Sequence, residues 1–338
     1  MKSYKQDIGY NIISKTKVVN DKNREKDINI IKDYFNNINK NLINKCLFYK
    51  DFSFNFKKIN KFNSSSASII KHPTFENQFI MNTRIVNYAL DDMGKSNNEN
   101  KCISINKITI LDNFFNEISF KYLFPENLNA KYNGFEDIRL FNFKNEIYFI
   151  GSFYNSETNK VQIISDNYSY YKNYKSTIIS PTFKTNFNWE KNWVFFENNN
   201  ELNVIYKWFP IYICKIDYSN KELNLIKSIE NLPDIFNKFR GSTNGIKYDN
   251  KIWFIVHQQN IIINNIKNYV HNFVVFDNNM NLLGYSNSFN FENSLVEFCL
   301  GMELTFNNNF VITYSKLDSY SKLVVFSPNY INSLINYI

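Results

Sequence analysis

From about residue 50 onward, apolar and polar residues alternate with a period of two in short runs separated by Asn, Asp, Lys and Gly. That is the pattern of β-strands with one face turned to a core. A larger unit recurs within it. Each copy joins a polar-rich strand to an apolar, aromatic one across a tight turn: NSSSASIIKHP with FENQFIMNTRIVNY, GFEDIRLFNF with KNEIYFIGSF, EKNWVFFEN with NNELNVIYKW, FRGSTNGIKY with DNKIWFIVH, and VEFCLGMELTF with NNNFVITYSK. Five copies at intervals of about 50 to 70 residues fall in the range of propeller blades. The pattern therefore predicts an all-β chain forming a five-bladed β-propeller, with the polar strand of each blade innermost and all five polar segments meeting in one axial funnel. Residues 155 to 185, too irregular to pattern, are assigned to outer strands. A β-sandwich would leave the recurrence of polar segments at one phase of each repeat unexplained.

The beginning of the chain reads differently. Over about residues 22 to 44, Ile28, Ile31, Phe35, Ile38 and Leu42 stand three or four apart, which predicts one amphipathic helix despite its many Asn residues. The expected organisation is an N-terminal helical extension over residues 1–48 and the propeller over 49–338. The opening MKSYKQDIGYNIISKTK lacks the apolar centre of a signal peptide, and no run of about 18 apolar residues occurs, so a cytoplasmic chain without a membrane span is expected. Cys46, Cys102, Cys214 and Cys299 are far apart in sequence. They suggest neither a zinc site nor a disulfide framework, and they fit a reducing compartment. The net charge of +8 and pI near 9.0 raise the question of nucleic acid. The lysines are scattered and no basic run is interleaved with aromatics, so a solvated basic surface is expected instead. Nothing in the sequence indicates an oligomeric state.

Asn, Lys, Ile, Tyr and Phe are used so heavily that the scarce residues carry the information. Among 39 basic residues only four are arginine: Arg24, Arg84, Arg139 and Arg240. Where lysine would serve, this chain uses lysine, so a retained arginine suggests a need for the planar fork that grips an oxyanion or sugar in two places. Arg139 lies in the densest cluster, GFEDIRLF at 134 to 141. Strand alternation would point Glu136 and Ile138 one way and Asp137 and Arg139 the other, letting Asp137 and Arg139 share a pocket.

The order of these segments also resembles a family. EDxR, then EKNW, then RGS, then an apolar strand ending in His is similar to the five-bladed β-mannoside phosphorylases and mannosidases of glycoside hydrolase family 130. It is more similar still to relatives of that family found with or inside bacterial and viral glycosyltransferases. The matching pieces are NTRIVNY (82 to 88), GFEDIRLF, EKNW (190 to 193), FRGS (239 to 242), YVHNFVVFD (269 to 277) and VEFCLGM (296 to 302). Together they span most of the chain from about 60 to 326. The family usually has Pro where this chain has Ile138, which puts the local geometry in question and leaves Asp137 and Arg139 in place.

Inverting glycosyl transfer needs a carboxyl group to give or take a proton at the glycosidic oxygen while a nucleophile approaches from the opposite face. Asp137 is the catalytic candidate. The resemblance implies that the corresponding Asp donates the proton, directly or through a substrate hydroxyl, while inorganic phosphate attacks. Arg139, Lys191, Arg240 and His257 would then cage the phosphate. Asn82, Arg84, Asn87, Tyr88, Glu136 and Trp193 are the sugar-binding candidates, although Tyr88 and Trp193 suit a core equally well and His257 suits a structural role. Glu297 and Asp318 are both candidates for a second carboxylate, and spacing does not choose between them. Gly241 and Gly301 suggest close backbone approach at the axis. Neither a metal nor an organic cofactor is expected, with phosphate the one co-substrate. The expected activity is phosphorolysis or hydrolysis of β-linked mannosides or similar glycans. A glycosyltransferase or glycan-assembly role, in association with a glycosyltransferase, is the alternative, and a non-catalytic propeller binding glycan or protein is another.

Overall fold

The computed structural model describes residues 41–53, 55–56, 62–91, 94, 96, 102–125, 132–173, 175–185, 189–261 and 267–338. Most of the amphipathic helix expected over 22 to 44 lies outside them. The described chain is a five-bladed β-propeller. Strands β1 (Phe48–Asp51) and β2 (Asn55–Phe56) precede a first blade of β3 (Phe62–Lys71), β4 (Gln78–Val86), β5 (Cys102–Asp112) and β6 (Glu117–Leu123). After the short β7 (Tyr132–Asn133), the second blade comprises β8 (Glu136–Phe143), β9 (Glu146–Asn155), β10 (Lys160–Asn167) and β11 (Thr177–Pro181). The third is β12 (Val194–Asn198), β13 (Glu201–Trp208), β14 (Ile211–Asp217) and β15 (Glu222–Ile229). The fourth opens with the split strand β16 (Arg240–Gly241) and β17 (Ile246–Tyr248), followed by β18 (Lys251–Ile261), β19 (Lys267–Asp277) and β20 (Leu282–Ser286). The fifth is β21 (Glu297–Leu304), β22 (Phe310–Lys316) and β23 (Tyr320–Phe326), and β24 (Ile335–Tyr337) adds to the edge of the fourth.

Blade number follows from where the apolar side chains go. Five hydrophobic clusters are buried, and each fills the seam between two neighbouring blades. Alternation feeds two seams from one strand: Trp253 and Ile255 of β18 pack toward the fifth blade, while Ile252, Phe254 and Val256 pack toward the third. That is why KIWFIV reads as an unbroken apolar run and still belongs to one strand. In the second blade Leu140 and Phe149 face the first, and Phe141 and Ile150 face the third. A parallel contact of β11 with β15, Ser180 opposite Glu222, links the outer edges of the second and third blades.

All five polar segments recognised in the sequence lie on or lead into the innermost strands β3, β8, β12, β16–β17 and β21, and within the stretch assigned to outer strands, β10 and β11 are joined by a helical turn at Tyr168–Tyr171. The ring is closed by β1. It completes the fifth blade from the opposite end of the chain, pairing Phe48–Asp51 with Lys322–Val325 of β23. Just before it, Leu42 sits on a single 3-10 turn (Leu42–Lys45), fully buried in the seam between the fourth and fifth blades. Among the described residues no helix is long and apolar enough to cross a membrane.

Candidate functional site

The innermost strands run the same way round the axis, so their first residues gather at one end: Ser65 on β3, Glu136 and Asp137 on β8, Arg240 on β16 and Phe298 on β21. Antiparallel pairing brings the last residues of the second strands to the same end. Arg84 lies near the end of β4 and Tyr88 just beyond it, His257 lies opposite Arg240, and the β22–β23 turn carries Asp318. Arg84 is the hub. It is nearly buried, donating from Nη2 to Glu136 at 2.9 Å, from Nη1 to Asp137 at 3.3 Å and from Nε to the Ser104 hydroxyl at 2.9 Å. Burial alone would depress its pKa, but the carboxylates of Glu136, Asp137 and Asp318 hold it well above its ordinary value. Asp318 accepts from Ser65 Oγ at 3.1 Å and from the Tyr88 hydroxyl at 3.4 Å. Burial raises its pKa against the pull of Arg84, and Asp137 adds to the rise.

Glu136 and Asp137 reach the same guanidinium because the strand is not regular there. The β8–β9 register shifts between Glu136 and Arg139, and Asp137 has φ 53°, in the left-handed region. A bulge of this kind turns a side chain out of the alternation. The expected partnership of Asp137 with Arg139 is therefore replaced by one with Arg84. Arg139, fully buried, instead donates to three carbonyls: Nε to Ser242 at 2.6 Å, Nη1 to Asp137 at 3.0 Å and Nη2 to Gly241 at 3.3 Å. Burial lowers its pKa to about 10, so it stays charged at neutral pH, and its bonds to Ser242 and Gly241 brace the second blade against the fourth. Ile138, in the position where Pro was expected, is buried in the seam with the first blade and packs against Gly151.

The other predicted residues divide in the same way. His257 is buried, its Nδ1 2.9 Å from Ser242 Oγ, and burial together with His271, Arg240 and Arg139 keeps it neutral, with a pKa well below its ordinary value. The neutral ring itself would offer a phosphate no charge. Arg240 is exposed and hydrogen-bonds Gln259 Oε1 at 3.0 Å. Lys191 is exposed with its ammonium over the Trp189 ring, and the next residue, Asn192, packs its carbonyl against Gly241. Trp193 is a core residue of the second seam, its indole N–H donating to Glu190. Asn82 is buried, donating to Asn106 and accepting from the Tyr171 hydroxyl, and Asn87 Oδ1 accepts from the amide of Ile103. Glu297 is fully buried and accepts from the amides of Phe291, Glu292 and Ser294, which ties down the loop before β21. Burial pushes its pKa up to about 7 despite those three donors. Of the two candidates for a second carboxylate, only Asp318 joins the cluster. A Cβ at Gly241 would lie 2.3 Å from the Asn192 carbonyl oxygen, and one at Gly301 would meet Thr313 and the β3 backbone, so both glycines mark close approach near the axis.

Among the residues of this end that were not foreseen are Ser65, Tyr269 and Phe298. The first is hidden in a serine run, and the other two lie in the motif segments YVHNFVVFD and VEFCLGM, where apolar context masks them. Phe298 meets the His257 ring edge-on at 5.1 Å, and Tyr269 lies 5.8 Å from His257 and 6.4 Å from Phe298. The axial cavity itself, about 140 Å³ and lined by Ser68, Asn142, Asn244, Lys247, Gly301 and Glu303, opens at the other end of the same strands. Asn142 is five residues along β8 from Asp137, about 16 Å at strand rise.

No family model matches the chain, and no curated protein matches it. Solved structures share its fold at low identity. A β-1,2-mannobiose phosphorylase from Listeria innocua, solved with β-1,2-mannobiose, has a TM-score of 0.56 at 11% identity, covering 86% of this chain and 99% of that one. A putative glycoside hydrolase from Parabacteroides distasonis gives 0.51 at 14% identity over 84% and 93% of the two chains. A structure from the glycoside hydrolase family 130 mannoside phosphorylases, described as including hydrolases that target β-1,2-mannosidic linkages in Candida mannan, gives 0.51 at 11% over 79% and 84%. The chain thus has the propeller fold of the mannoside phosphorylases and their glycosidase relatives.

Proposed function

We propose that this chain is a carbohydrate-active enzyme that cleaves β-linked mannosides or similar glycans with inversion, with water as the favoured acceptor. The observation that carries the reading is the convergence of Glu136, Asp137 and Asp318 on Arg84 at one end of the propeller axis. Inverting hydrolysis needs two carboxyl groups in different protonation states. Asp318, whose pKa is raised by burial, suits the proton donor at the leaving oxygen. Asp137, ion-paired with Arg84, suits the carboxylate that draws a proton from the incoming nucleophile, with Glu136 holding Arg84 and sugar hydroxyls in place. Phosphate is disfavoured as acceptor because two of its four expected cationic ligands are otherwise engaged: Arg139 is bound to carbonyls and His257 is buried and neutral. Arg240 and Lys191 remain.

The experiment is product analysis by NMR on a panel of β-linked manno-disaccharides, with and without inorganic phosphate. Free α-mannose as the first product in both conditions is the expected result. Formation of α-mannose 1-phosphate, and only with phosphate present, would replace hydrolysis by phosphorolysis. Absence of any product from sugars that nevertheless bind would favour a non-catalytic glycan-binding propeller.

A further inference from the structure

We infer that Tyr269 and Phe298 form the wall against which an uncharged pyranose ring stacks at the Arg84 end of the axis, a specification that rests on the glycan reading above. Sugar rings present one face of C–H groups and a rim of hydroxyls, so a site for them pairs an aromatic surface with carboxylates or amides. Of the two aromatics that the sequence offered for stacking, Trp193 is buried in a seam and Tyr88 is held through its hydroxyl by Asp318. Tyr269 and Phe298 are two further half-buried rings at this end, one from the fourth blade and one from the innermost strand of the fifth, with centroids 6.4 Å apart. Both are backed by the buried His257 ring, at 5.8 and 5.1 Å, which Ser242 holds through Nδ1. A wall braced in this way loses little conformational freedom on binding. Tyr269 also lies within electrostatic reach of Asp318, Arg240 and Asp137, which sets it at the Arg84 end of the axis.

Charge narrows the ligand further. Three carboxylates, Glu136, Asp137 and Asp318, stand around one guanidinium, and Arg240 already hydrogen-bonds Gln259. A phosphate or carboxylate on the sugar would find Arg84 already paired with two carboxylates and only the exposed Arg240 beside it, whereas neutral hydroxyls find acceptors.

The test is calorimetric titration of the full chain with a neutral manno-oligosaccharide and with mannose 6-phosphate, comparing wild type with Tyr269→Phe, Tyr269→Ala, Phe298→Leu and Phe298→Ala. Stacking predicts that both alanine variants bind the neutral sugar about tenfold or more weakly. Tyr269→Phe and Phe298→Leu, which keep ring or bulk and guard against a folding defect, should stay within about threefold on the same scale. Mannose 6-phosphate should bind at least tenfold more weakly than the neutral sugar. Unchanged affinity in both alanine variants, in a protein that still turns the sugar over, overturns the wall and leaves the enzymatic reading standing. Tighter binding of mannose 6-phosphate overturns the charge argument. Failure of the wild type to bind any neutral glycan overturns both readings together.

Discussion

Replacing Arg139 by methionine separates two accounts of the same residue. If Arg139 ligated phosphate, its loss would weaken anion binding and leave the fold alone. Its three donors instead fall on the carbonyls of Ser242, Asp137 and Gly241, at 2.6, 3.0 and 3.3 Å. Methionine leaves those oxygens without their donor at a cost of about 1 to 3 kcal/mol each. Part of this is offset because a charge no longer has to be buried, so a net loss of about 3 kcal/mol is expected. With an unfolding entropy of about 2.1 cal/mol/K per residue over the roughly 270 described residues, that loss lowers Tm by about 5 °C. Arg139→Lys should give an intermediate loss, since an ammonium keeps the charge without the three-way fork. The assays are calorimetric melting and phosphate titration on the same samples. A Tm within about 1 °C of the wild type would be well below that estimate, and if it came with abolished phosphate binding it would refute the strut and restore the cage.

Three further expectations follow from named contacts. His257 is held neutral in the fold, so below its unfolded pKa, about 6.5, only the unfolded chain takes up that proton and stability falls with falling pH. The carboxyls of Glu297, Glu303 and Asp318, whose pKa desolvation raises, run the other way, so the readout is a difference: His257→Asn should flatten the acid limb of stability against pH by up to about 1.4 kcal/mol per pH unit, and an unchanged slope in denaturant titrations would contradict it. Gly241→Ala places a Cβ 2.3 Å from the Asn192 carbonyl oxygen. It should cost about 1 to 3 kcal/mol by forcing the two backbones apart, with a melt indistinguishable from wild type counting against the close approach. Removing residues 1–52 deletes β1 and exposes the outer edge of β23. Loss of cooperative melting is expected, and a truncated chain that melts like the whole would show that β1 does not close the ring.

What could be read from the sequence was what period and repetition encode. The phase of each polar segment placed it on an innermost strand, and the unbroken apolar run KIWFIV fits a strand packed on both sides. β1 could not be found this way, because FYKD has no repeat partner and its pairing is with residues more than 270 positions away. The scarcity of arginine picked out residues with a structural need for a fork, but not what the fork would hold: Arg84 took two carboxylates, Arg139 took carbonyls and Arg240 took Gln259. Asp137 was singled out and paired with Arg139 by alternation, which assumes a regular strand, whereas the left-handed residue at the bulge breaks it and turns the carboxylate to Arg84. Glu297 and Asp318 looked equivalent as letters. Only tertiary packing sets one under a loop of backbone amides and the other beside Arg84.

The account turns on whether the Arg84 end of the axis does chemistry through Asp137. The most direct measurement is turnover of one β-linked mannoside by the wild type and by Asp137→Asn, alongside the affinity of each for the same sugar. Asparagine is nearly isosteric and cannot exchange the proton, so turnover should fall by about 10² to 10⁴ while affinity changes little. A loss smaller than about tenfold, on a substrate that the wild type demonstrably cleaves, would fall short of what acid–base catalysis contributes and would place the reaction elsewhere on the propeller.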